Sequence, residues 1–249
     1  DKLDRLGDTG LDGVLVVPYT LEFASQTPQE FVRRWIVEGL RAATVVVGAD
    51  TKFGRGNAGD VETMRALGAT LGFETDVVDD AGAVSESGRR WSSTWVRELL
   101  EDGRMSEAET VLGRPHRLRG VVVDGAKLGR EIGFPTANLD VTGGMVPRHG
   151  VYAGWMTVLD PHGDERAGAP TGERLATAVS IGINYTVGAQ SLRVEGFALD
   201  RSGLDLYGVE MALDLVAWRR PMLDFGSLDG LKDALAADVA WCREVLQVD

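Results

Sequence analysis

Residues 125–139 read Gly-Ala-Lys-Leu-Gly-Arg-Glu-Ile-Gly-Phe-Pro-Thr-Ala-Asn-Leu. Three glycines, Gly125, Gly129 and Gly133, let backbone N–H groups come close to a phosphate, and Lys127 and Arg130 place positive charge beside them. Thr136 and Asn138 flank one small residue, so in an extended segment their side chains project to the same face. A hydroxyl and an amide oxygen are hard ligands of the kind Mg²⁺ accepts beside nucleotide phosphates. The spacing fits neither the P-loop nor the dinucleotide fingerprint. This stretch also lies just beyond a change of texture that divides the chain.

Before it, apolar runs alternate with helical patterns. A run at 14–17 closes at Pro18, and a helical pattern from Pro28 carries Phe31, Val32, Trp35, Ile36 and Leu40. A second run covers 44–47. Asp60 is placed to cap a helix through Met64, Leu67 and Leu71, and 73–78 reads as a third strand. Such βα alternation predicts a parallel sheet. Ser92 and Ser93 precede a helix over 94–100, another spans 106–112, and Gly113-Arg114-Pro115 marks a boundary between domains 1–112 and 113–249. Beyond it, short β-branched or alternating runs at 118–123, 150–159, 176–183, 191–199 and 210–218 predict a small antiparallel barrel. The polar segment 160–172 reads as a loop between strands, and 227–248 as a helix packed across the barrel.

The composition is that of an ordinary globular chain: 249 residues, 44% hydrophobic and 26% charged, enough for two cores. A formal net charge of -12 argues against nucleic-acid binding, which needs a basic face. The one cysteine, Cys242, sits in an apolar helical pattern and reads as a packed residue. No apolar run is long enough to span a bilayer and no signal peptide is recognisable, so a cytoplasmic location without membrane partners is expected. Oligomeric state is not legible.

Gly129-Arg130 followed by Gly133-Phe134-Pro135-Thr136-Ala137-Asn138-Leu139 resembles the signature of riboflavin kinases. In bacteria that module is usually the C-terminal half of the bifunctional riboflavin kinase/FMN adenylyltransferases, or FAD synthetases. Upstream, Val47-Gly48-Ala49-Asp50 through Phe53-Gly54 to Gly59-Asp60, and Arg90-Trp91-Ser92-Ser93-Thr94-Trp95-Val96-Arg97, resemble two motifs of the adenylyltransferase half. Downstream, His149-Gly150-Val151-Tyr152-Ala153-Gly154, Val194-Glu195 and Asp205-Leu206-Tyr207-Gly208 match kinase landmarks in order. The resemblance implies a nucleotidyltransferase-like, Rossmann-type α/β domain followed by a small antiparallel β-barrel kinase domain with a C-terminal helix. It implies transfer of the ATP γ-phosphoryl group to the riboflavin 5'-hydroxyl, giving FMN and ADP with Mg²⁺ as cofactor. Glu195 stands where the family has its catalytic base, with Thr136 and Asn138 for metal and phosphates. Lys127, Gly129, Arg130 and Gly133 would form the phosphate loop, while Arg220 and Tyr207 would lie on the flavin side. Gly48, Asp50, Phe53, Arg90, Ser93, Thr94 and Arg97 would contact nucleotide or FMN in the other half.

Plainer readings stand beside these. Glu195 alone reads as a solvated strand residue, Arg220 in Arg219-Arg220 as surface charge, and Ser93 as a helix cap with Arg97 exposed. The chain also departs from the family. Its three histidines, His116, His149 and His162, do not form the His-x-Gly-His motif of adenylyltransferases, and it begins at Asp1. It therefore reads as the remainder of a longer protein that phosphorylates riboflavin, with FAD formation expected of the parent. The alternative is a flavin- or nucleotide-binding regulatory protein without catalysis. Trp95 replaces a usually small or basic residue, and Tyr185 stands where the family generally has proline.

Overall fold

The computed structural model describes residues 2–79, 88–125, 129, 132–159, 168–186 and 189–248. Lys127, Arg130 and His162 lie outside them, as do most of the expected loop 160–172 and the side chain of Tyr185. The chain forms two compact units, Asp1–Arg90 and Trp91–Asp249.

In the first unit, strands β1 (Thr44–Gly48) and β2 (Glu74–Val78) pair in parallel, as the βα alternation predicts. Between them Asp60 caps the helix Val61–Leu71, its Oδ1 accepting from Thr63 N at 3.0 Å, and Gly72 ends that helix in the left-handed conformation. The pattern starting at Pro28 becomes a short helix, Pro28–Phe31, with Thr27 and Glu30 forming a capping box, and continues as a π-helical segment, Val32–Gly39. Val32, Met64 and Phe73 form the buried core.

The run at 14–17 is not a strand. Val14, Leu15 and Val16 are 41%, 54% and 66% exposed, and among the described residues β1 pairs only with β2. Apolar, β-branched composition favours a strand only where a neighbouring edge supplies hydrogen bonds. Here the segment leads instead into Leu21–Ala24, a one-turn helix capped by Thr20, and the helix Lys2–Gly7 before it carries no buried residue.

The second unit is a closed barrel of six antiparallel strands in the order β3-β4-β7-β6-β5-β8. They are β3 (His116–Val123), β4 (Ala137–Val141), β5 (Gly150–Val158), β6 (Arg174–Thr186), β7 (Ala189–Ala198) and β8 (Glu210–Arg220). Five correspond to the alternating runs. The sixth, β4, is the Ala-Asn-Leu end of the glycine-rich stretch, too short and polar to stand out by periodicity. It is held by pairing on both sides, Val122↔Leu139 and Leu139↔Val194. Leu118, Leu139, Tyr152, Ile181, Val194 and Leu213 fill the interior.

Helices Ser93–Asp102 and Met105–Leu112 pack on the barrel through Trp95, Leu99, Leu100, Met105 and Ala108. The cap of the first is Ser92, whose Oγ accepts from Trp95 N at 3.2 Å, so Ser93 occupies the first helical position rather than the cap. The C-terminal helix, Leu228–Leu246, lies on the outer wall, where Ala153, Leu199, Cys242 and Leu246 form a separate buried cluster. Cys242 is fully buried, as its pattern predicts.

Candidate active site

Strand register builds the site on the outside of the barrel. Asn138 on β4 pairs with Glu195 on β7, Glu195 with Ser180 on β6, Ser180 with Val151 on β5, and Val151 with Arg220 on β8. Directly opposed residues share a face of the sheet, so five strands contribute one row of side chains. The C-terminal helix and the segment before it roof that row with Phe225, Leu231, Leu235 and Val239. The cavity, of about 260 Å³ and open on one side, is lined by Gly129, Thr136, Asn138, Glu195 and Arg220 together.

Of the glycine-rich stretch, Gly129, Ile132 and Phe134 border this cavity. Phe134 N donates to Gly129 O at 2.7 Å, and a side chain on Gly129 would run into the Phe134 carbonyl. A Cβ on Gly125 would overlap the Asn138 amide, so the backbone passes directly against that side chain. Gly133 has φ 91°, a left-handed conformation suited to glycine. Phe134 meets Phe197 edge-on at 5.4 Å between ring centroids.

Glu195 is half-buried, and removal from water pushes its carboxyl above the ordinary carboxylate range, with Arg193 acting in the opposite direction. Arg220 is fixed rather than solvated. Its Nε and Nη2 donate to the two carboxylate oxygens of Asp238 at 3.1 and 2.5 Å, and its guanidinium lies 5.2 Å from the Phe225 ring. Asp238 is 2% exposed and also pairs with Arg219 Nε at 3.1 Å. Tyr207 lies elsewhere. It lines a second cavity of about 260 Å³ with Pro135, Thr136, Gly196, Arg201 and Leu206, so Thr136 faces both cavities and Tyr207 is not in the one holding Arg220.

The motif residues of the other half divide between the units. Gly48 ends β1, Asp50 pairs with Arg90 at 3.1 Å, and Phe53 packs on Phe31 at 5.8 Å, all in the first unit. Ser93, Thr94 and Arg97 lie exposed at the start of a helix in the second. Trp95, the departure from the family pattern, is 7% exposed and packs towards the barrel.

Ser180, Arg193, Phe197 and Asp238 were not legible as site residues. Arg193 and Phe197 follow from alternation about Glu195 (two residues either way share its face). Ser180 and Asp238 depend on register and helix docking, which carry no local signal.

A small, partly open cavity joining Gly129, paired oxygen donors and a half-buried carboxylate suits a transferase acting on a small molecule. Residues 112–246 match the riboflavin kinase family model, and residues 1–95 match that of FAD synthetase. A bifunctional riboflavin kinase/FMN adenylyltransferase of Escherichia coli K12 is 36% identical over 245 residues, 98% of this chain and 73% of that protein. Its namesake from Listeria monocytogenes is 34% identical over 240 residues, 96% of this chain and 71% of that protein. A crystal structure described as a macrolide-efflux protein from Streptococcus pneumoniae superposes with a TM-score of 0.81 at 29% identity, covering 97% of this chain and 73% of that one. The chain belongs to the bifunctional riboflavin kinase/FMN adenylyltransferase family. Its named relatives are enzymes, and nothing in these similarities supports the non-catalytic alternative. Among the described residues, no helix is long and apolar enough to cross a membrane.

Proposed function

We propose that the barrel unit is an ATP-dependent riboflavin kinase of the cytoplasm, with its reaction centre where Asn138 and Glu195 face each other across β4 and β7. The observation that carries this reading is the five-strand row, which joins a carboxylate, an amide and an anchored guanidinium in one roofed cavity. The apolar roof suits a flat isoalloxazine ring, and Arg220 would face its polar edge. The second cavity, reached past Thr136 and lined by Tyr207, suits the nucleotide. In this assignment Tyr207 contacts ATP rather than flavin. Gly129 and Gly133 would stand by the phosphates near Thr136, which lines both cavities, and Lys127 and Arg130, outside the described residues, are proposed for the same phosphates.

Phosphoryl transfer asks for alignment, charge neutralisation and a proton acceptor. Glu195 would take the proton of the ribityl 5'-hydroxyl as that oxygen bonds to the γ-phosphorus. The bond from the γ-phosphorus to the β,γ-bridging oxygen breaks, and ADP leaves. A carboxyl with its affinity for protons raised by burial is a better base than an ordinary one at neutral pH, provided it is ionised.

The donors fit Mg²⁺, which is bound by few protein oxygens alongside substrate phosphates. The Thr136 hydroxyl and the Asn138 amide oxygen would hold it, and the Gly125 backbone packs directly against that amide. Among the described residues there is no cluster of three His, Cys, Asp or Glu side chains for a metal. When bound, the ion would neutralise phosphate charge.

Incubation with riboflavin, ATP and Mg²⁺, followed by chromatography, tests the proposal. FMN should form and should fail to form when the metal is chelated. No FMN in the presence of metal would end the reading. A FAD peak in the same trace would show that the chain also adenylylates FMN without a His-x-Gly-His motif, a reaction for which Gly48, Asp50, Phe53, Arg90, Ser93, Thr94 and Arg97 are the proposed contacts.

A further inference from the structure

We propose that Met222 is a specificity-determining residue for the flavin, an adjustable partition that sets how large a ring system the site admits. The inference rests on the reading of the first cavity as the flavin's. That cavity, of about 260 Å³, adjoins another of about 510 Å³, and Ser180, Arg193, Glu195 and Met222 line both. The first three belong to the strand floor, on β6 and β7, whereas Met222 comes from the segment that follows β8. Its side chain lies against Gly182, where an added Cβ would stand 3.1 Å from Met222 Cγ. Gly182 follows Ser180 on the same face of β6 and pairs with Arg193. The missing side chain in that row therefore leaves a notch in the floor, and Met222 occupies it between the two cavities.

Size and chemistry both take the flavin past this residue. Cavities that hold small molecules commonly measure about 300–1,000 Å³. The first cavity falls below that range, so a tricyclic ring with its ribityl chain needs part of the second. Beyond the shared residues, the second is lined by Gly182, Ile183, Pro221 and His149. With Met222, Ile183 and Pro221 make an apolar border that suits the methyl-bearing benzenoid end of the isoalloxazine, while Arg220 would face the hydrogen-bonding end. A thioether makes favourable contacts with ring edges, and an unbranched side chain with three rotatable bonds fits itself to what lies beside it. Met222 is 49% exposed, so its replacement leaves the barrel core intact. One methylene in an apolar pocket separates substrates by about 10–200-fold, so a single side chain at this place is enough to decide which ring substituents are accepted.

The test compares riboflavin with an analogue carrying a propylamino group in place of one benzenoid methyl, in the parent chain, Met222→Ala and Met222→Phe. Flavin fluorescence gives the Kd of each pair and steady-state kinetics the kcat/KM, with circular dichroism confirming folding. The parent should prefer riboflavin, Met222→Ala should narrow that preference by about tenfold or more, and Met222→Phe should widen it, with KM for ATP unmoved throughout. The same preference in Met222→Ala as in the parent, in both Kd and kcat/KM, would overturn the proposal. Should Met222→Ala fail to fold, a preference left unwidened by Met222→Phe would overturn it equally, and a widened one would support it. A parent chain that binds riboflavin and forms no FMN would end the kinase reading instead, and the Kd values alone would then decide the role of Met222.

Discussion

Replacing Asp238 with alanine should loosen the roof of the cavity and the fold together. The carboxylate is buried, its side chain 3% exposed, and it accepts from Arg219 and Arg220, whose side chains are 24% and 19% exposed. Its removal strands two guanidiniums in a site that is mostly dry. Breaking one partner out of a buried ion pair costs roughly 3–5 kcal/mol. Both arginines retain some access to water, which lowers the expectation to about 2–4 kcal/mol. For a unit of this size that corresponds to a fall in Tm of about 4–16 °C. Thermal melting followed by circular dichroism reads the loss, and riboflavin fluorescence quenching reads the cavity. Arg220 should lose its orientation, weakening riboflavin binding while ATP binding changes little. A loss below about 0.5 kcal/mol, the ordinary scale of a surface substitution, would refute the view that this helix is tied to the barrel through Asp238.

Two further expectations concern the cavities. Tyr207→Ala should raise KM for ATP several-fold and leave KM for riboflavin nearly unchanged, because Tyr207 lines the second cavity and not the first; steady-state kinetics with each substrate varied would show the reverse if Tyr207 were a flavin contact. Glu195→Gln should also melt at a higher temperature than the parent at neutral pH. A carboxyl whose pKa is raised on folding gives stability present below its unfolded value and lost as pH rises through the folded one. The difference should therefore shrink as pH falls to the ordinary glutamate range, and equal melting temperatures at pH 7 would contradict the burial of this carboxylate.

The barrel was largely legible in the sequence because its strands carry their own pattern: 150–159 and 210–218 are apolar enough to be strands wherever they pair. Strand β4 was not, since Ala137 to Val141 becomes a strand through β3 and β7 rather than through its own composition. The exposed run at 14–17 shows the converse: strong β propensity without a paired edge among the described residues. Thr136, Asn138 and Glu195 were readable from spacing and family pattern, and they line one cavity. Arg220 reads as surface charge until the helix brings Asp238 to it, 18 residues along the chain. Tyr207 sits in a motif whose position relative to the flavin cavity depends on how the chain wraps around the barrel, which local sequence does not encode.

Single-turnover formation of FMN by the parent chain and by Glu195→Gln, with the riboflavin Kd of each measured by fluorescence, tests the central claim most directly. Loss of a general base predicts a rate lower by about 10²–10⁴-fold in the variant with riboflavin affinity essentially retained. FMN formation at the parental rate, with riboflavin bound equally well, would contradict the assignment of phosphoryl transfer to the Asn138–Glu195 row.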